Sequence, residues 1–329
     1  MAHSGNLLLR VTIAIAAVVA LLMLAVPAYI WALTLTGAEG SPATGLLTLN
    51  TMSAVRLDTD DPAVLATHLS RALIPAPDVA NRPSAVILAP ANSWEAFAAA
   101  APLVRLTGGP ILVADGQADV AEIGRLRPSG LSALGGSTVL AVGTAPPPGI
   151  RVETISGRSS AELAAAVDQL RTRLPDDGGS NVFLVPDDPR FALPAAYWAA
   201  YSGDAVLFLD TSGDLPDATR SALARRGGKA NIYLLGPGVL ADLGRYGTVT
   251  RIGGDDPASA AVALARFRDE AHDVGWGLDG TRWAADHAFV LANPARPTLA
   301  AAGIPLGRLG EYGPLLWTDR DSLSAATNQ

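Results

Sequence analysis

Three short polar segments carry the side chains best suited to recognising a ligand: Asn92-Ser93, Asp187-Asp188 with Arg190, and Asn293 with Arg296. Each follows a continuous apolar run and precedes an Ala-rich stretch. Open parallel sheets bind ligands beyond the carboxyl ends of their strands, so amides, carboxylates and guanidinium groups placed there are binding candidates. The same residue types also form turns and cap helices, and both readings stand. A second candidate is the segment Asp273 to Trp283, where Trp276 and Trp283 lie among glycines. It reads either as a contact surface for a partner or glycan, or as aromatics packed onto the body.

Other chemistries find little support. There is no cysteine among the 329 residues, which excludes disulfides, thiolate catalysis and thiolate metal sites. His3, His68, His272 and His287 show no ligand-like spacing, so no metal and no cofactor are expected. Neither a Gly-x-Gly-x-x-Gly turn nor a phosphate loop occurs, and no Gly-x-Ser-x-Gly elbow is present. The paired acids Asp60-Asp61 and Asp255-Asp256 stand ahead of apolar stretches, where carboxylates favour a helix start. With 24 basic and 31 acidic residues the net charge is −7, which disfavours nucleic acid as a partner. Lys229 is the sole lysine, a bias in keeping with a GC-rich bacterial coding sequence.

The elements that must position these loops repeat along the chain. Arg56-Leu57-Asp58-Thr59-Asp60-Asp61-Pro62-Ala63 returns as Arg251-Ile252-Gly253-Gly254-Asp255-Asp256-Pro257-Ala258, and Thr154 to Ala161 lies between them. Each copy leads into an amphipathic stretch: Val64 to Leu73, Leu163 to Leu174, and Ala260 to Ala271. In phase with these come apolar runs at Val86-Ile87-Leu88-Ala89, Val182-Phe183-Leu184-Val185 and Phe289-Val290-Leu291-Ala292, as expected of strands buried on both faces. An Ala-rich helix follows each run, at Trp94 to Leu106, Leu193 to Tyr201 and Thr298 to Leu309, and then another strand. A further strand, Thr138 to Val142 and Asn231 to Leu235, appears in two copies only, so the third repeat is incomplete. The pattern predicts an α/β protein of tandem Rossmann-like βαβ repeats with parallel sheets.

This pattern resembles the type 2 cell-wall-binding repeat family of bacterial surface proteins. Ile252-Gly253-Gly254-Asp255 resembles its opening turn, Ala101-Pro102-Leu103 its helix step, and Gly109-Pro110-Ile111-Leu112-Val113 its following strand. Gly313-Pro314-Leu315-Leu316-Trp317 repeats the last of these. The copies are degenerate: the family's turn arginine is missing from all three, and its Phe-x-Asp-Ala-Leu sequence is replaced by Trp94-Glu95-Ala96-Phe97 and its counterparts. The likeness covers roughly residues 55–329 and implies noncovalent attachment to anionic wall polymers.

Ahead of the repeats, Val11 to Leu35 holds 25 residues (35 − 11 + 1) without a charge. At ~1.5 Å per residue that run spans about 37 Å, enough for a bilayer core. Arg10 precedes it and Glu39 is the first charge beyond, which predicts a single-pass anchor with a cytoplasmic N-terminus and an extracytoplasmic body. The expected organisation is therefore a cytoplasmic stretch at 1–10, a transmembrane helix at 11–35, a linker at 36–50, and repeats at 51–151, 152–248 and 249–329. The expected function is non-catalytic binding or scaffolding at the cell envelope. Its partners would be a cell-wall polymer or envelope protein, with the bilayer held by the N-terminal helix. A degenerate glycan-active envelope enzyme and a docking subunit of a membrane complex are the alternatives.

Overall fold

The computed structural model describes residues 47–50, 54–75, 77–114, 118–175, 179–210, 212–237, 242–253, 256–278 and 288–328. Among the described residues the strands are β1 (Leu47–Asn50), β2 (Val55–Asp58), β3 (Val86–Ala89), β4 (Ile111–Val113), β5 (Val139–Val142), β6 (Val152–Ile155), β7 (Asn181–Val185), β8 (Ala205–Phe208), β9 (Ala230–Leu235), β10 (Gly247–Ile252), β11 (Val290–Ala292) and β12 (Leu315–Trp317). The helices are α1 (Pro62–Leu73), α2 (Trp94–Thr107), α3 (Ala118–Leu126), α4 (Ser160–Arg171), α5 (Pro189–Ser202), α6 (Asp217–Ala224), α7 (Pro257–Arg266) and α8 (Pro297–Ala302).

The helix starts follow from local chemistry. Asp61 accepts from the amides of Ala63 and Val64 at 2.8 and 3.4 Å, and Asp256 from those of Ala258 and Ser259 at 3.0 and 3.1 Å. Pro62 and Pro257 follow, preset for the first turn and needing no amide partner there. At the other end, α2 and α5 stop at Gly108 and Gly203 with φ of 64° and 84°, a left-handed cap that favours glycine.

The apolar runs form parallel sheets, β4-β3-β5-β6 in the first repeat and β8-β7-β9-β10 in the second. The predicted strands at Val86, Val182 and Phe289 occupy equivalent places: each pairs in parallel with the strand that follows it, Ile87 opposite Ile111, Phe183 opposite Val206, and Val290 opposite Leu315. The expected repeat boundaries need one correction. The opening strand of each later repeat joins the sheet of the repeat before it, β6 on β5 and β10 on β9. A boundary at 151/152 therefore cuts through a ladder of hydrogen bonds. The crossover helices α3 and α6 precede β5 and β9, and the strand β1 lies outside the sequence expectation. β1 occupies part of the expected linker and pairs antiparallel with β2.

The repeats share one core. Helices α2, α5 and α8, equivalent in the three repeats, all pack on one another. Their contact faces are alanine: Ala98 to Ala101, Ala195-Ala196 with Ala199-Ala200, and Ala300 to Ala302 are all buried. Small side chains let three helices approach closely, and larger ones there would overpack the centre. Each opening helix lies against the second strand of its own repeat and the central helix of the repeat before: α4 on β8 and α2, α7 on β12 and α5. Helix α1 completes the cycle by packing on β4 and on α8 of the third repeat. The three repeats thus close into a ring.

The predicted membrane helix at 11–35 lies outside the described residues. Among the described residues no helix is long and apolar enough to cross a membrane. The longest, α2 and α5, have 14 residues each, about 21 Å at ~1.5 Å per residue against a core of ~30 Å. The expected single-pass membrane localisation is therefore not supported.

Candidate functional site

The three predicted loops sit at the N-termini of the central helices. Ser93 caps α2, accepting from the Ala96 amide at 3.1 Å and donating to Glu95 at 2.9 Å. Asn92 is exposed beside it. Asp188 caps α5, accepting from the Arg190 amide at 2.9 Å, and pairs with the Arg190 guanidinium at 2.6 Å. Against the upward push of burial, these Arg190 bonds hold the Asp188 carboxyl below its usual range. Asp187 behaves oppositely: burial, with the charges of Glu95, Asp188 and Asp210, pushes its carboxyl up despite a 2.7 Å hydrogen bond from Ser160. Asn293 closes a turn by accepting from the Ala295 amide at 2.8 Å. Arg296 pairs with Asp60 of the first repeat, and the Arg190 carbonyl accepts from the Trp317 indole at 2.8 Å. Both loop arginines are thus engaged internally. The fold brings the first two loops together around Asp187 and Glu95, and ties the third to the start of the first repeat.

Trp276 is only 7% exposed, its ring 5.2 Å from Trp198 and 5.4 Å from Tyr201. It is a packing residue, and the contact-surface expectation does not hold for it. Trp283 lies outside the described residues.

The opposite ends of the central helices hold a site that sequence reasoning missed. A cavity of about 290 Å³ is lined by Arg105 at the end of α2, Tyr201 at the end of α5, Arg308 just past the turn after α8, and by Asp204, Asn181 and His272 among others. Arg105 is brought in closely: a Cβ placed on Gly203 would meet its Cγ at 3.1 Å. Burial and the Arg105 charge hold the Arg308 guanidinium below its usual range. Among the described residues neither arginine forms an ion pair within 4.0 Å, in contrast to Arg190 and Arg296. Tyr201 stacks on Tyr312 at 5.1 Å, giving the cavity an aromatic wall. Asp204 is buried and accepts from the Trp198 indole at 2.8 Å; burial pushes its carboxyl up. The lining sets two guanidinium groups and the Tyr201 ring beside the carboxylates of Asp204 and Asp273, a mixed-charge wall whose arginines can meet an anionic group. The available signal was positional: Arg105, Tyr201 and Arg308 all fall at the ends of the repeated Ala-rich helices. Among the described residues no three acidic or histidine side chains are grouped to hold a metal ion.

Fold and site together define a class: an α/β repeat protein whose three βαβ repeats close around a shared bundle of alanine-rich helices. Among the solved structures that share that fold are two cell wall proteins from Clostridium difficile. Cwp8 matches with a TM-score of 0.60 at 17% identity, over 82% of this chain and 45% of its own. Cwp6 matches with a TM-score of 0.59 at 15% identity, over 86% of this chain and 46% of its own. The chain spans less than half the length of either. The sequence matches no protein-family model and no curated protein. At these identities the likeness establishes the fold alone.

Proposed function

We propose that this chain is a non-catalytic binding protein of the cell envelope that holds an anionic envelope polymer at the Arg105–Arg308 cavity. The observation that carries the reading is the shared fold with two cell wall proteins over more than four-fifths of the chain. The cavity supports it, because it offers two guanidinium groups outside any ion pair among the described residues, whereas the loop arginines are already held by Asp188 and Asp60. On an acidic chain, such local arginines are what lets an anionic polymer approach.

Sedimentation of the protein with isolated cell walls tests this. The wild-type chain pellets with the walls, and more weakly as salt rises. Changing Arg105 and Arg308 together to alanine lowers apparent affinity about tenfold or more. Changing Arg190 and Arg296 leaves it within about twofold. A chain that stays in the supernatant at low salt refutes the proposal.

A further inference from the structure

One position sets the second repeat apart from the other two. Three strand pairings correspond: Ile87 with Ile111, Val182 with Ala205, and Val290 with Leu315. Carried back to the entry of each second strand, these registers set Ala85 opposite Gly109, Asn181 opposite Asp204, and Ala288 opposite Gly313. In the first and third repeats a close approach requires the glycine. A Cβ on Gly109 would collide with the Ala85 carbonyl oxygen, and one on Gly313 with that of Ala288. The second repeat replaces both members of the pair, alanine by Asn181 and glycine by Asp204, and the two side chains hydrogen-bond. Asp204 is buried and its carboxyl is pushed up by that burial, so an ionised group there costs stability. It also lies in the wall of the Arg105–Arg308 cavity. A buried ionisable group kept in a cavity wall at such a cost marks a functional position.

We propose that the cavity takes a zwitterionic unit, a phosphate whose ester arm ends in an ammonium group, with the phosphate on Arg105 and Arg308 and the ammonium on Asp204. The inference rests on the reading of this cavity as the polymer site, and it names the unit of the polymer that enters. Among the described residues Asp204 forms no ion pair with either arginine, so a ligand can meet both signs of charge in one wall. Two guanidinium groups offer more donors than a single carboxylate accepts, and they suit a phosphate. A bound anion alone would face the Asp204 carboxylate; an ammonium on the same ligand offsets that repulsion. Trp198, Ser202 and Asn181 hydrogen-bond to Asp204. A carboxylate has about four acceptor positions, which leaves room for one further donor. Asp273, the other carboxylate of the wall, is already held by Arg268. A volume of about 290 Å³ admits one such unit and not a length of polymer.

Titration calorimetry of the full chain tests this with two probes, phosphoethanolamine and hydroxyethyl phosphate, which differ only by an amine against a hydroxyl. Phosphoethanolamine binds about tenfold tighter or more. Asp204→Asn keeps an acceptor for the Trp198 indole but loses the charge, and it brings the two probes to within about twofold. Arg308→Ala weakens both by about tenfold. If Asp204→Asn does not fold, release of the wild-type chain from isolated cell walls takes its place, and phosphoethanolamine acts at about one-tenth the concentration of the other probe. Equal affinities overturn the proposal, and so does a preference that survives Asp204→Asn. Failure of both probes to bind a chain that still pellets with walls overturns it too, while leaving wall binding intact. Competition for the probe by phosphatidylethanolamine vesicles, and not by walls, would assign the unit to a lipid headgroup and overturn it as part of a polymer.

Discussion

The second and third repeats place nearly the same strand in two different surroundings. Val182 to Val185 of β7 lie between β8 and β9 and are buried throughout, whereas Val290 and Ala292 of β11 are half-buried and Leu291 exposed. A second difference runs with the first. In both complete repeats a buried carboxylate joins the opening helix to the crossover region. Glu122 of α3 accepts from Ser70 and Arg71 of α1, and Asp168 of α4 accepts from Arg225 and Arg226 beyond α6. The two clusters occupy the same interface with the charges exchanged. Among the described residues the third repeat buries no charged side chain. Burial of an apolar run is thus a property of its neighbours, and the ionic cluster appears where a crossover helix exists to be fastened.

The comparison can be broken most sharply at the clusters. Asp168→Ala leaves Arg171 and Arg226 buried without their carboxylate, and is expected to cost ~3–5 kcal/mol in denaturant unfolding. Glu122→Ala costs less, because Arg71 and Arg125 reach solvent. Equal losses would mean that the exposure of the arginines is irrelevant. Next in size are the equivalent leucines. Leu88→Ala and Leu184→Ala should each cost ~2–5 kcal/mol, the range for emptying a packed site, while Leu291→Ala stays within about 0.5 kcal/mol as a surface change. A comparable cost at all three, read by the same unfolding curves, would remove the distinction between the repeats.

The smallest effect concerns pH and has opposite signs within the second repeat. Against the upward push of burial, hydrogen bonding from Arg226 and the charges of Arg226, Arg171 and Arg225 hold Asp168 below its usual range. Its contribution is present above the unfolded value of ~3.9 and is lost as pH falls through the lower folded value. Asp204 is pushed up by burial, so its ionisation costs stability as pH rises from that unfolded value through the higher folded one. Asp204→Asn should therefore raise Tm by a few degrees at neutral pH, with a gain that shrinks towards about pH 4. A gain that grows on acidification would reverse the assignment.

Much of the fold was legible because it rests on local patterns. Apolar runs such as Val86 to Ala89 read as buried strands, and Asp61-Pro62 and Asp256-Pro257 read as helix starts. What stayed hidden depends on meetings between distant residues. That β6 completes the first repeat's sheet follows from packing between copies, which periodicity along one copy does not encode. The ionic clusters escape a repeat search because Ser70 and Asp168 hold equivalent places with different chemistry. The candidate loops were found, but Arg190 and Arg296 proved to be held by Asp188 and Asp60. Arg105 and Arg308 converge because three helices end at one place, which no spacing between positions 105 and 308 announces.

The contact that closes the ring also sets a schedule for folding. Helix α1 packs on α8, and the end of one and the start of the other are 297 − 73 = 224 positions apart. During synthesis, α1 is made with Leu65 and Leu69 ready for burial, but α8 emerges only after both of the intervening central helices. The other two opening helices, α4 and α7, find their central helices already made. Contacts so remote in sequence form slowly, and the apolar surface awaiting them is open to misassociation meanwhile. The first repeat is thus the first to be translated and the last to be completed, so a nascent chain stalled before α8 would present the face of α1 to whatever else is in reach.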